Sequence, residues 1–293
     1  AFGYYAQNFV ALSERITDHL AEASEGARER LWQVRAKEVV IATGSIERPL
    51  VFPGNDRPGV MLAEAARIFL NRYGVKIGAR VVIVTAHDSA WRVALDLKAA
   101  GVDVAAIADT RANPPEAGTA AAKAVGLRVI TAATVTGTKG RLRVSSVGIA
   151  SGSGEAEWLA CDALLMSGGW TPSVHLYSQS RGKVVWHEDR GMFLPGKSVQ
   201  AERSAGACKG VFALCDVLAE GHRAGAEASG ITGEKAFAVA GDAGISGGTM
   251  GRLPWRAGSK GKAFVDFQND VKAEDIELAV QEGMRSIEHV KRY

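Results

Sequence analysis

Residues 80–109 limit what this chain can fold into more than any other stretch. Arg80-Val81-Val82-Ile83-Val84 favours a strand, residues 89–100 carry a helical pattern stopped by Gly101, and a second strand over 102–107 runs on to Asp109. Such a succession predicts a βαβ unit, whose helical crossover makes its two strands parallel. A parallel sheet must be covered on both faces, so the chain is committed to an α/β architecture.

Three more apolar runs fit that architecture. The run 38–42 leads into Ala42-Thr43-Gly44 and reads as a buried parallel strand ending where backbone lies close to something flat or anionic. The run 161–166 likewise ends in Ser167-Gly168-Gly169, and Val211–Asp216 reads as a strand entering a small-residue helix over 217–228. Residues 1–10 are strand-like, and 12–20 are short helix or extended chain. Residues 22–29 form a turn, and 32–35 an edge feeding the strand 38–42.

Three prolines between Pro49 and Pro58 exclude regular structure there and mark a crossing into a second domain. A helix over 61–72 stopped by Tyr73-Gly74, a helix over 117–125, a strand over 127–131 and a hairpin over 133–150 complete that domain. Residues 173–200 read as loop-rich. The expected organisation is therefore a first domain from 1–50 and 163–230, an inserted domain at 51–162, a Gly/Ser/Ala-rich linker at 231–262 and a small helical module at 263–293.

Composition excludes several function classes. The 35 basic residues are interleaved with 32 acids for a net charge of +3, so no basic block marks a nucleic-acid footprint. No apolar run approaches the roughly 20 residues of a membrane helix. Three cysteines, an odd number within or near apolar runs, argue against a disulfide framework and for a reducing cytoplasm. The sequence begins with Ala in a strand-like segment, and the expectation is an internal piece of a longer chain.

The chemistry concentrates at strand ends. A glycine turn at Thr43-Gly44 and an acid at Asp216 ahead of a helix are the parts that line a dinucleotide, the helix end facing pyrophosphate and the carboxylate facing ribose or ribityl hydroxyls. Two ordinary sheet strands give the same pattern. In the βαβ unit, a phosphate-cradling turn needs Gly-x-Gly-x-x-Gly/Ala, but Thr85-Ala86-His87-Asp88-Ser89-Ala90 keeps only the final small residue, and Asp88 sets a negative charge where phosphate belongs. Asp109 holds the position of a ribose-binding acid. The inserted domain therefore reads as an inert scaffold. No Cys-x-x-Cys and no histidine at metal-ligand spacing is present.

Six segments carry a resemblance to a known family. These are Ala-Thr-Gly-Ser-Ile-Glu-Arg-Pro (42–49), Asn-Asp-Arg-Pro-Gly-Val (55–60), Asn-Arg-Tyr-Gly-Val (71–75), Asp-Ser-Ala-Trp-Arg-Val-Ala-Leu-Asp-Leu-Lys-Ala-Ala-Gly (88–101), Ser-Gly-Gly-Trp-Thr-Pro-Ser-Val-His-Leu-Tyr-Ser-Gln-Ser (167–180) and Phe-Val-Asp-Phe-Gln-Asn-Asp-Val (264–271). Together they resemble the alpha subunit of heterotetrameric sarcosine oxidase across essentially the whole chain. The resemblance implies two Rossmann-like dinucleotide-binding domains of the FAD/NAD(P)-binding flavoprotein type, the first incomplete, plus the small C-terminal helical module. It implies NAD in the first domain, FMN at an interface with a beta subunit, FAD within that beta subunit, tetrahydrofolate in a further C-terminal domain, and gamma and delta subunits as additional partners.

Carried over by position, Ala1, Thr43 and Gly44 meet the adenosine end. Ala213, Asp216, Leu218 and Glu220 meet the ribose, pyrophosphate or nicotinamide side. Cys215 departs from the glycine expected before Asp216. At Asp266 and Gln268 related amine-oxidising subunits carry iron–sulfur cysteines, so no cluster is expected. No residue here is nominated as a catalytic acid, base or nucleophile, and with its first phosphate turn missing the isolated chain is expected to bind dinucleotide poorly. A related amine or imino-acid dehydrogenase subunit and a non-catalytic nucleotide-binding scaffold stay open as alternatives.

Overall fold

The computed structural model describes residues 1–20, 26–239, 254 and 260–293. They fall into two compact units, one drawn from Ala1–Ile46 and Trp170–Gly247, the other from Glu47–Gly169 and Gly248–Tyr293.

The second unit is built on the βαβ core. Arg80–Thr85 and Asp103–Asp109 lie side by side in a wholly parallel five-stranded sheet, ordered Val60–Leu62, Ala163–Ser167, Arg80–Thr85, Asp103–Asp109, Val129–Ile130. Strand alternation sends Val81, Ile83 and Leu165 to one face, against Trp91, Val93, Ala94 and Leu97 of the helix Ser89–Ala99 and against Ala63 and Ala66 of the helix Ala63–Tyr73. Val82, Val84, Leu164 and Met166 point the other way, against Val135, Val147, Ile149 and Leu159 of an antiparallel sheet, Ala133–Lys139, Ser146–Ser151 and Glu157–Ala160. Each residue of Val81–Val84 is thus fully buried, as a strand sandwiched between two layers requires. The helix Ala63–Tyr73 ends at Gly74 in the left-handed conformation (φ 66°), as the glycine stop predicts.

The strand Ala163–Ser167 corrects the expected boundary. Its position as the exit from the inserted domain had placed it at the start of the returning segment 163–230, but it pairs in parallel with Arg80–Thr85 on one side and Val60–Leu62 on the other, inside the second unit. An apolar strand announces burial, not the sheet that buries it. The chain passes between units after Gly169, where Gly168 N donates to Arg48 O (2.7 Å) and Arg48 N donates to Gly169 O (2.8 Å). A Cβ at Gly168 would lie 2.8 Å from Pro49 O, so only glycine fits this crossing.

Residues 263–293 form a strand pair, Phe264–Asp266 with Val271–Lys272, and two helices, Ala273–Gln281 and Ile287–Arg292. They group with the second unit, and Asn55 ties them in. Its buried side chain donates to Leu50 O (3.0 Å) and Phe264 O (2.8 Å) and accepts from Phe264 N (2.9 Å). Residues 231–239 of the expected linker have no regular structure, and residues 240–253 and 255–259 of it lie outside the described residues, as do residue 21 and residues 22–25 of the expected turn.

The first unit opens with an antiparallel sheet, Gly3–Tyr5, Phe9–Arg15 and Glu29–Arg35, so 12–20 begins as strand rather than helix. Beside it, Val39–Ile41 pairs in parallel with Glu202–Ser204. Only Ile41 of this short strand is buried, and Val40 is 38% exposed, so the expected buried central strand is a shallow two-stranded ladder. Tyr4, Ile41, Tyr177 and Cys208 form the core of the unit. Residues 173–200 hold more order than expected, with a helix His175–Gln179 and a hairpin Val184–His187/Met192–Pro195.

The run Val211–Asp216 is the larger correction. It joins no ladder. Ala213 caps a helix Leu214–Ala228, which places Asp216 inside the first helical turn. Residues 214–220 are good helix formers apart from Cys215, Asp216 and Val217, and an acid in the first turn is favoured by the helix dipole.

Candidate dinucleotide site

Two parallel strands deliver their C-terminal ends to the same place in the first unit. After Ile41 the chain continues through the exposed Ala42 and Thr43 to Gly44, which adopts a left-handed conformation (φ 71°) with open space where a Cβ would stand. Thr43 Oγ1 donates to Ser173 O (2.6 Å) and Ser173 N donates to Gly44 O (2.9 Å), which fixes the turn. After Ser204, Ala205 N donates to Ile41 O (2.9 Å), and a short 3₁₀ turn, Gly206–Lys209, leads toward the helix Leu214–Ala228.

That helix carries one wall of a cavity of about 720 Å³, a volume suited to a cofactor-sized ligand. Asp216, Ala219, Glu220 and Arg223 line it from successive turns, and Glu234 and Lys235 face it from the segment beyond. Glu220 is fixed in place. One oxygen accepts from Gly206 N (2.7 Å) and the other from Lys209 Nζ (3.0 Å), with Arg223 3.7 Å away. It holds the 3₁₀ turn against the helix, which leaves Asp216 and Glu234 as the acids facing the cavity.

Of the positions named from sequence, the cavity brings together Asp216 and Glu220. Thr43 and Gly44 form the fixed turn, Ala1 is exposed at the chain start, Ala213 is the helix cap, and none of these lines the cavity. Leu218 is 40% exposed and shares an outward stripe with Leu214. Sequence reasoning missed Arg223 and Lys235. Arg223 was findable, lying two turns after Asp216 and therefore on the same helix face. Lys235 sits in irregular chain with no periodicity to reveal it.

The corresponding corner of the second unit is filled from within. Arg111, just past the strand Asp103–Asp109, bonds Asp109 through Nε (3.0 Å) and Nη2 (2.7 Å) and Asp88 through Nη1 (2.6 Å), and its own N–H reaches Asp109 Oδ1 (2.8 Å). Asp109 is fully buried. Burial by itself lowers the Arg111 pKa, but the bonds to Asp109 and Asp88 outweigh it and leave the guanidinium firmly charged. His87, 2% exposed, is pushed down to about 4, chiefly by burial, against the pull of Asp88 and with Arg111 and Arg48 adding to the drop. The turn is further closed by Thr85 Oγ1, which donates to His87 O (2.8 Å) and accepts from His87 N (3.0 Å). A neutral imidazole and a neutralised pair of acids thus stand where a phosphate turn and a ribose acid work in a nucleotide-binding βαβ unit.

Asp266 has a local task as well. Its carboxylate accepts from Asn269 Nδ2 (2.7 Å) and Gln268 N (2.8 Å), shaping the turn between two short strands, and these bonds hold it below the usual carboxylate range. Cys161, Cys208 and Cys215 form no disulfide. Among the described residues no helix is long and apolar enough to cross a membrane.

Two known families match stretches of this chain. Residues 10–238 match the family described as pyridine nucleotide-disulphide oxidoreductase, and residues 260–293 match the sarcosine oxidase A3 domain. The chain is 42% identical over 304 aligned residues to sarcosine oxidase subunit alpha of Rhizobium meliloti (strain 1021), covering 100% of this chain and 30% of that protein. It is 38% identical to the alpha subunit of Corynebacterium sp. (strain P-1), covering 99% and 32%. The chain therefore spans about a third of the length of these relatives. Among solved structures, L-proline dehydrogenase from P. horikoshii superposes with a TM-score of 0.64 at 19% identity, covering 90% of this chain and 49% of that one, a likeness of fold. By fold and by sequence, the chain belongs to the pyridine nucleotide-disulphide oxidoreductase family.

Proposed function

We propose that this chain is the NAD-binding and assembly portion of a sarcosine-oxidising alpha subunit. The observation that carries the proposal is 42% identity sustained along the whole chain to a sarcosine oxidase subunit alpha. The complex converts sarcosine, oxygen and tetrahydrofolate to glycine, hydrogen peroxide and methylenetetrahydrofolate. The amine is oxidised at the flavin of a beta subunit, FMN lies at the interface with that subunit, and gamma and delta subunits complete the assembly.

NAD takes the cavity of the first unit. The lining offers Arg223 and Lys235 to a pyrophosphate and Asp216 to ribose hydroxyls, with Glu220 engaged by Gly206 and Lys209 and Glu234 a further acid at the wall. Thr43, Gly44 and Ala1 lie outside the cavity lining and meet the adenosine end only where it extends beyond the cavity, while Ala213 caps the helix that carries Asp216 and Glu220 holds the 3₁₀ turn against it. NAD serves there as a bound ligand of the fold, and no chemical step is assigned to it. The locked corner at Arg111 supports one dinucleotide site in this chain rather than two.

Co-expression with candidate partner subunits tests the reading. A flavin-bearing partner that co-purifies, in a complex that turns over sarcosine, is the expected outcome. A chain that never associates with a flavoprotein subunit removes the oxidase reading and leaves the nucleotide-binding scaffold.

A further inference from the structure

The second unit has a cleft that shares no residue with the corner at Asp88, Asp109 and Arg111. A loop at residues 53–57, the strand Ala133–Lys139, Trp158 and residues 260–262 enclose about 470 Å³. Four cations face it, Arg57, Lys139, Lys260 and Lys262, against the single acid Asp56. None of the four forms an ion pair with a carboxylate among the described residues. Concentrating four like charges in a cleft costs self-repulsion that an anion relieves.

The cleft is also built rather than draped. Arg57 Nε donates to Thr138 Oγ1 (3.0 Å), Nη2 lies 3.4 Å from Thr138 O, and Nη1 donates to Gly140 O, so the guanidinium is held while its charge stays uncompensated. Lys139 Nζ stands 3.7 Å from the centre of the Trp158 ring, a cation–π contact that parks the ammonium at the cleft wall. Gly54 N donates to Lys262 O (2.7 Å), which pins the 260–262 segment to the opposite loop.

We propose that this cleft binds a phosphate group, with Arg57 as the fixed donor and Lys139, Lys260 and Lys262 closing on it as point charges. The site is independent of the NAD reading, since it lies entirely in the second unit and shares no residue with the cavity at Asp216.

Titration of the 293-residue chain with inorganic pyrophosphate, followed by calorimetry and by tryptophan emission, tests it. Saturable binding that weakens with salt is expected, with an emission change that Trp158→Phe abolishes. The double variant Lys139→Gln/Lys262→Gln should bind at least tenfold more weakly while its melting temperature without ligand does not fall below the parent value, since two of the four repelling charges are gone. A parallel titration with ADP separates sources. ADP binding lost in the double variant supports a nucleotide occupant, whereas pyrophosphate binding lost with ADP indifferent supports a small phosphate compound. No saturable pyrophosphate binding at millimolar concentration, or equal binding by the double variant, overturns the proposal.

Discussion

Replacing Arg111 by alanine should destabilise the second unit severely. The guanidinium makes three side-chain bonds, two to Asp109 and one to Asp88, and Asp109 is fully buried. Removing one partner of a buried ion pair leaves an uncompensated charge and costs about 3–5 kcal/mol. At roughly 2–4 °C per kcal/mol for a unit of this size, the melting transition of the second unit should fall by about 6–20 °C. Because the chain has two units, a global melt alone is ambiguous. Hydrogen exchange read by mass spectrometry on peptides from Arg80–Thr85 and Asp103–Asp109 assigns the loss to the second unit, with Val39–Ile41 as the internal control. The triple variant Asp88→Asn/Asp109→Asn/Arg111→Met, which removes all three charges together, should recover most of the loss, since a buried ionic cluster is replaceable by neutral groups at little net cost. A loss under about 1 kcal/mol in Arg111→Ala, or a triple variant no better than the single one, would refute the idea that this corner is held shut by its own ion pairs.

Three other outcomes follow from the geometry. Glu47, buried with its carboxylate accepting from Glu64 N (2.9 Å), is pushed up to about 7, mainly by burial. A raised folded-state value contributes stability that is full below the unfolded value near 4.5 and is lost as pH rises through about 7, so Glu47→Gln should flatten the pH dependence of unfolding across that window and stabilise the protein above it. Asp216→Ala and Arg223→Ala should each weaken NAD binding by the co-expressed complex by about tenfold, roughly 1.4 kcal/mol, while Leu218→Ala, off the cavity, leaves calorimetric affinity unchanged. Asn55→Ala strips three bonds from a buried side chain and leaves Leu50 O and the Phe264 amide and carbonyl without those partners. It should cost about 2–4 kcal/mol and expose residues 260–272 to limited proteolysis.

How much of this was legible differs by element. The βαβ unit was read nearly to the residue, because period-2 and period-3.6 patterns and a glycine stop are local signals. Val211–Asp216 was misread because a five-residue apolar run has no period of its own, and its fate depended on whether a neighbouring ladder was available. The strand Ala163–Ser167 was found but assigned to the wrong unit, since burial on both faces does not name the partners. At the candidate site Asp216 was named from sequence as a strand-end acid ahead of a helix, whereas it stands in the first turn of that helix and lines the cavity from there. Arg223 was overlooked on the same face, and the engagement of Glu220 by Gly206 and Lys209 was invisible in sequence because the 3₁₀ turn that meets it comes from eleven to fourteen residues away.

The sequence alone determined the α/β class, the crossing at the proline-rich segment and the loss of a phosphate-cradling turn at Thr85–Ala90, because each depends on residues adjacent along the chain. Tertiary structure decided what replaced that turn. Asp88 and Asp109 stand 21 positions apart and look in sequence like a misplaced charge and a surviving ribose acid. Only when parallel pairing brings their strand ends together does Arg111 reach both, and two apparent remnants of a nucleotide site become one buried ion-pair cluster.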